Sequence, residues 1–193
     1  MNNLNEYIDQ FFFTAASVLE QENRFLQEHF SACEREQGFY KNWHHGIPPL
    51  FETTMVYLVF RELLKTRFPL EIEWEGPYPH SKTMKADLII KESRIPRVYI
   101  EFKIWKDQKA KDVKSDIAKL KTLPENFRGF IFVIWYEKGD GSGPLNWLQE
   151  ELSLQLNKTS HKHSFPVLYY PGNKKLEEWN VILALLEIKK ANP

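Results

Sequence analysis

The sequence predicts an α/β domain, a mixed central sheet with helices on both sides. Three observations carry that expectation. Segments with apolar residues at helical spacing alternate with short runs of strand periodicity, which is the pattern of a layered α/β fold. Two strand-like runs flank a Ser93 to Pro96 turn, and the antiparallel hairpin they form excludes a wholly parallel sheet. The run GFIFVIWY, Gly129 to Tyr136, is apolar at nearly every position, as a central strand covered on both faces must be.

Composition sets the limits. A chain of 193 residues with 42% hydrophobic and 15% aromatic content can bury a substantial core and is not a disordered polymer. Lys+Arg and Asp+Glu both total 26, so no global basic field favours nucleic acid and any basic surface must be local. The single cysteine, Cys33, rules out an internal disulfide and makes the cytoplasm the expected compartment. No signal peptide is expected from MNNLNEYIDQ, and no apolar run reaches the roughly 20 residues of a membrane span.

Taken in order, the first element is a helix over about Asn5 to Glu34 with an apolar stripe of Tyr7, Ile8, Phe11, Phe12, Ala15 and Leu19. The loop GFYKNWHHGIPP, Gly38 to Pro49, either packs that helix onto the core or serves as an aromatic flap. Residues 1–46 thus form a helical extension packed on a core of residues 47–193. A helix over about Leu50 to Lys65 follows, with Pro49 near its first turn and Val56, Val59, Phe60 and Leu63 inward. Glu52 heads that stripe, where an acid either complements the helix dipole or reaches a site. Glu62 falls away from the stripe and is the weaker candidate. Leu70 to Glu75 reads as a strand with Leu70, Ile72 and Trp74 inward, and Gly76 to Ser81 as a loop. Ala86 to Lys91 and Val98 to Trp105 are the hairpin strands. Asp107 to about Leu123 is a helix through Ala110, Val113, Ile117 and Leu120, its many lysines forming either a solvated face or a phosphate-binding rim. Beyond the central strand come a GDGSGP turn, a helix from Leu145 to about Asn157, a polar loop holding His161 and His163, a short strand from Pro166 to Tyr170, and a closing helix from Lys174 to Lys190.

The hairpin is where chemistry is visible. Alternation puts Val98, Ile100, Phe102 and Ile104 on one face and Tyr99, Glu101, Lys103 and Trp105 on the other. On the facing strand, Ala86, Leu88 and Ile90 share one side and Asp87, Ile89 and Lys91 the other. Asp87 and Glu101 then converge, two hard oxygen donors of the kind Mg²⁺ takes while keeping several waters. Lys103 stands beside them as a cation able to orient water or stabilise phosphate charge.

The pattern D-x13-E-x-K, Asp87, Glu101 and Lys103, resembles that of the PD-(D/E)XK nuclease superfamily, with Ala86 where the name-giving proline would stand. The resemblance spans Glu52 to Tyr136. It implies a three-layer restriction-endonuclease-like fold and a metal-dependent nuclease acting on nucleic acid, with DNA the expected target and RNA left open. By the same resemblance Asp87, Glu101, Glu52 and the Phe102 carbonyl would hold Mg²⁺, with Mn²⁺ as substitute, and Lys103 would be the catalytic lysine. Asp116 and Lys119 resemble the polar pair many members carry on the following helix. Lys82, Lys85, Lys106 and Lys119 are the candidate phosphate contacts. A homodimer through the aromatic first helix is compatible with this scheme. The alternative is a non-catalytic nucleic-acid or protein-binding module on the same fold, and the plainest one is a structural Glu101–Lys103 ion pair.

Overall fold

The computed structural model describes residues 4–37, 50–105, 110–138, 145–148, 161–169 and 177–188. Among them lie the helices α1 (Leu4–Gln37), α2 (Glu52–Lys65) and α3 (Ala110–Lys121). The strands are β1 (Glu71–Tyr78), β2 (Ser81–Glu92), β3 (Ile95–Ile104), β4 (Arg128–Glu137), β5 (His161–Tyr169) and β6 (Glu177–Glu187). The described strands form one mixed sheet in the order β1-β2-β3-β4-β6-β5. Only β3 and β4 run parallel; the other neighbours are antiparallel.

Two apolar cores sit on the two faces of this sheet. One joins Phe11, Phe12 and Leu19 of α1 and Met55, Val59 and Leu63 of α2 to Leu88, Ile100, Phe102, Phe132 and Leu183. The other joins Val113, Ile117 and Leu120 of α3 to Ile89, Tyr99, Ile131, Val133 and Leu186. The alternation expected along β3 therefore holds, since Val98, Ile100 and Phe102 enter the first core and Tyr99 the second. β4 contributes to both faces, as a strand apolar through its middle should.

Several expectations change. The closing helix is a strand: β6 pairs with β4 on one side and β5 on the other, and its Leu183 and Leu186 enter opposite cores. VILALLEI is rich in helix formers, but the apolar run Val181 to Leu186 suits an interior strand equally well, and two flanking strands decide between them. The supposed polar loop around His161 and His163 is the start of β5. There His161 Nε2 meets Asp9 Oδ1 at 2.6 Å and His163 Nε2 meets Glu20 Oε2 at 2.8 Å, tying the edge strand to α1. Gly76 to Tyr78 continue β1 instead of forming a loop; a Cβ on Gly76 would lie 2.4 Å from Ile89 Cδ1, so glycine is what lets the strand pass there. Residues 145–148 are helical, and the remainder of the helix expected to Asn157 lies outside the described residues, as does the aromatic segment 38–49.

The hairpin turn is tighter than expected. Glu92 pairs with Ile95, leaving a two-residue turn of Ser93 and Arg94, both left-handed at φ 52° and 68°. Pro96 lies in β3 at a register shift, the place a strand tolerates a residue without an N–H.

Candidate active site

The site begins where a ladder stops. β2 and β3 pair from the turn as far as Leu88–Ile100 and then part, while β2 stays paired with β1 through Gly76–Ala86. Ala86 departs from the expected alternation, because it faces the second core while Leu88 faces the first. The break falls at Asp87, opposite Glu75, whose φ is 53°. Asp87 is thereby turned towards the edge of β3 that β2 has vacated, and its Oδ2 accepts the Phe102 N–H at 2.7 Å. Two residues on, the Ile104 N–H is taken by Glu52 Oε2 at 3.0 Å. Trp105, on the alternate edge, donates to Ile134 O of β4. Two carboxylates, one from β2 and one from the first residue of α2, thus replace the strand partner that β3 lacks. In an extended strand N–H and C=O of one residue leave on the same edge, so the Phe102 carbonyl shares this opening.

Around that opening the side chains are charged and largely covered. Glu101 is 3% exposed, and its Oε1 accepts the Tyr78 hydroxyl at 2.7 Å. Lys103 Nζ lies 3.3 Å from Glu52 Oε1 and 3.0 Å from Asp116 Oδ2. Asp116, from α3 and also buried, holds Lys119 Nζ at 2.6 Å through its other oxygen, and Lys119 Nζ lies 3.9 Å from Glu101 Oε1. Four carboxylates from α2, β2, β3 and α3 share two ammonium groups.

Burial first, and that imbalance after it, governs protonation. Burial pushes the Glu101 carboxyl up to about 8; the Tyr78 hydrogen bond opposes this, and the charges of Asp87 and Asp116 add to it. Asp87 is raised as well, by burial first and then, against its Phe102 hydrogen bond, by Glu52 and Asp116. For Lys103 burial acts downward, but Asp116 and Glu52 outweigh it and leave the ammonium above its ordinary value. Lys119 is raised in the same way, with Asp116 and Glu101 overcoming burial. The Tyr78 hydroxyl is held protonated by burial and by Glu101.

The structure therefore brings together Asp87, Glu101, Lys103, Glu52 and Lys119 from the sequence expectation. Lys82 and Lys85 stay outside on the exposed first half of β2, where Lys85 pairs with Glu75 at 3.3 Å. Lys106 lies outside the described residues. Tyr78 was hidden by the prolines on either side, which mark a turn on their own. Asp116 carries a signal only through its spacing to Lys119.

Among the described residues no three or more His, Cys, Asp or Glu side chains form a ready metal cage. Both oxygens of Glu52 are already engaged, by Lys103 and the Ile104 N–H. What remains is the pair Asp87 and Glu101 with the Phe102 carbonyl, a hard-oxygen set that fits Mg²⁺, an ion commonly held by one or two carboxylates with retained waters. The surplus of carboxylate charge fits a divalent cation too. An open cleft of about 310 Å³ adjoins the cluster between the N-terminal ends of α2 and α3, lined by Phe51, Glu52, Lys103, Trp105 and Asp112 among others. Asp87 and Glu101 are not in its wall; the cleft meets them through Glu52 and Lys103. No family model, no curated protein and no solved structure matches this chain.

Proposed function

We propose that this chain is a metal-dependent nuclease of the PD-(D/E)XK kind, hydrolysing phosphodiester bonds of nucleic acid, with DNA the expected substrate. The single observation that carries the reading is the cluster at the parted end of the hairpin, where four carboxylates, two of them buried and two partly buried, outnumber the two lysines set among them. The order α2, β1, β2, β3, α3, β4, with β4 parallel to β3, also agrees with that family's core of helix, three strands, helix and strand.

In this reading Asp87 and Glu101, with the Phe102 carbonyl, hold Mg²⁺ or Mn²⁺. The bound cation would supply charge against the phosphate and the departing oxygen. Glu52 and Asp116 clamp Lys103 from the two helical layers. Because those acids keep its ammonium protonated, Lys103 acts as a donor to water or to a phosphate oxygen and not as a base. Lys119, held by Asp116, offers a second cation to the substrate phosphate.

The test is incubation with linear and circular DNA in Mg²⁺ or Mn²⁺, alongside Asp87→Ala and Lys103→Ala. Cleavage that survives both substitutions unchanged removes the assigned roles. A non-catalytic module on the same fold is favoured by one observation: Asp87 and Glu52 already complete the hydrogen bonding of β3. Calorimetric titration with Mn²⁺ separates the two, since uptake abolished by Asp87→Ala together with cleavage belongs to the enzyme, and uptake without cleavage of any nucleic acid to the module.

A further inference from the structure

Phe51 is the residue whose position the fold does not explain. It occupies the N-cap of α2, where a side-chain oxygen is preferred to satisfy the first N–H groups, and it makes no capping hydrogen bond. Its ring is 78% exposed, more than any other large apolar side chain described. A residue that forgoes the cap and leaves an aromatic ring in water breaks two local rules at once, and such breaks concentrate at functional sites.

What adjoins it is the second observation. The cleft that Phe51 borders is also bordered by Trp105, and Lys103 and Glu52 are in its wall as well. Trp105 packs edge-to-face with Trp147, centroids 4.9 Å apart at 68°, and Lys114 Nζ lies 5.6 Å from the Trp147 ring centre. A perpendicular pair leaves each ring at least one face that the other does not cover. Its volume is at the small end of ligand pockets, too narrow for a double helix. Glu52 and Asp112 make part of the wall acidic, and Lys103, though paired with Glu52 and Asp116, is the cation among the described lining residues and so the place for an anion, while the aromatic residues are the place for something flat and neutral.

We infer that the cleft takes an unpaired nucleobase, stacked on Phe51 and Trp105, while the adjoining phosphate lies at Lys103; the substrate is single-stranded nucleic acid or a locally opened strand. The inference rests on the nuclease reading and deepens it by naming the strandedness. Stacking on an aromatic side chain tolerates any base, so the preference is for unpaired strands and not for a sequence.

Binding measured by fluorescence anisotropy in EDTA tests this without cleavage. The probes are a labelled oligothymidylate, an oligouridylate, an abasic strand of equal length and the corresponding duplex. The two single strands should bind more tightly than the duplex and the abasic strand, with their ratio reporting any preference for deoxyribose. Phe51→Ala should weaken oligothymidylate binding roughly tenfold, the effect of one lost base–aromatic stack, while Trp105→Phe should largely preserve it. Equal binding of abasic and base-bearing strands, or unaltered binding in both Phe51→Ala and Trp105→Ala, overturns the proposal. A duplex bound and cut in Mn²⁺ while single strands are ignored also overturns it and leaves the nuclease reading standing. Failure to bind or cut any of the probes removes both.

Discussion

The two ends of the parallel pair β3–β4 are built on opposite principles. At the N-terminal end Arg128 meets Glu187 of β6 through two hydrogen bonds, Nε to Oε1 at 2.6 Å and Nη2 to Oε2 at 2.7 Å, and Nη1 reaches Asn5 of α1. A guanidinium meets a carboxylate in fork geometry, an arrangement that holds strands in register. At the C-terminal end four carboxylates share two lysines, and the backbone ladder is replaced by side chains of Asp87 and Glu52. A charge-matched end closes the sheet, whereas a charge-surplus end keeps electrostatic energy that a cation would relieve. Ligands of open α/β sheets gather at the carboxyl ends of the strands, and the surplus lies there.

The comparison can be broken most forcefully by cleavage assays. Asp87→Ala and Lys103→Ala should each lower DNA cleavage by about a hundredfold or more, the usual effect of removing one electrostatic stabiliser, while Arg128→Ala should leave the rate per folded molecule unchanged. Equal losses at both ends would erase the distinction.

Proton linkage gives the next effect. Glu101 is raised in the folded state from its ordinary 4.5 to about 8, so between those values the native chain holds a proton the unfolded chain has lost. Its contribution to stability is complete below about pH 4.5 and is lost as pH rises through about 8. Asp87, also raised, acts in the same direction. Glu101→Gln should flatten this decline and exceed the parent chain at pH 8 by an amount on the order of a few kcal/mol. Urea denaturation at a series of pH values measures it; a parent chain whose stability climbs over that window would contradict the raised Glu101 and Asp87. Mn²⁺ should restore stability to the parent chain at pH 8 and not to Asp87→Ala.

Arg128→Ala should cost about 2 kcal/mol in the same denaturation experiment, below the full value for a buried pair because the arginine is a quarter exposed, and Mn²⁺ should not offset it. The smallest effect belongs to the hairpin turn. Arg94 holds φ 68° without being glycine, so Arg94→Gly should stabilise the chain by about 0.5–1 kcal/mol if relief of the left-handed backbone exceeds the added freedom of the unfolded state. Thermal unfolding without metal shows whether the turn or the parted end limits the hairpin.

The chain itself determined what depends on near neighbours. Alternation along Val98 to Trp105 sorts Glu101 and Lys103 onto one face whatever surrounds them, and the hydrophobic spacing of α1, α2 and α3 selects their buried sides. Tertiary structure alone decided what depends on residues far apart. VILALLEI became a strand because β4 and β5 were there to pair with it. Asp87 turned sideways because the ladder with β3 ended beside it. Tyr78 and Asp116 became partners of Glu101 and Lys103 because β1 runs on past Pro77 and α3 packs over the sheet, bringing together groups that lie far apart in the sequence. Local periodicity is written in a dozen residues; the field at a buried carboxylate is written only in three dimensions.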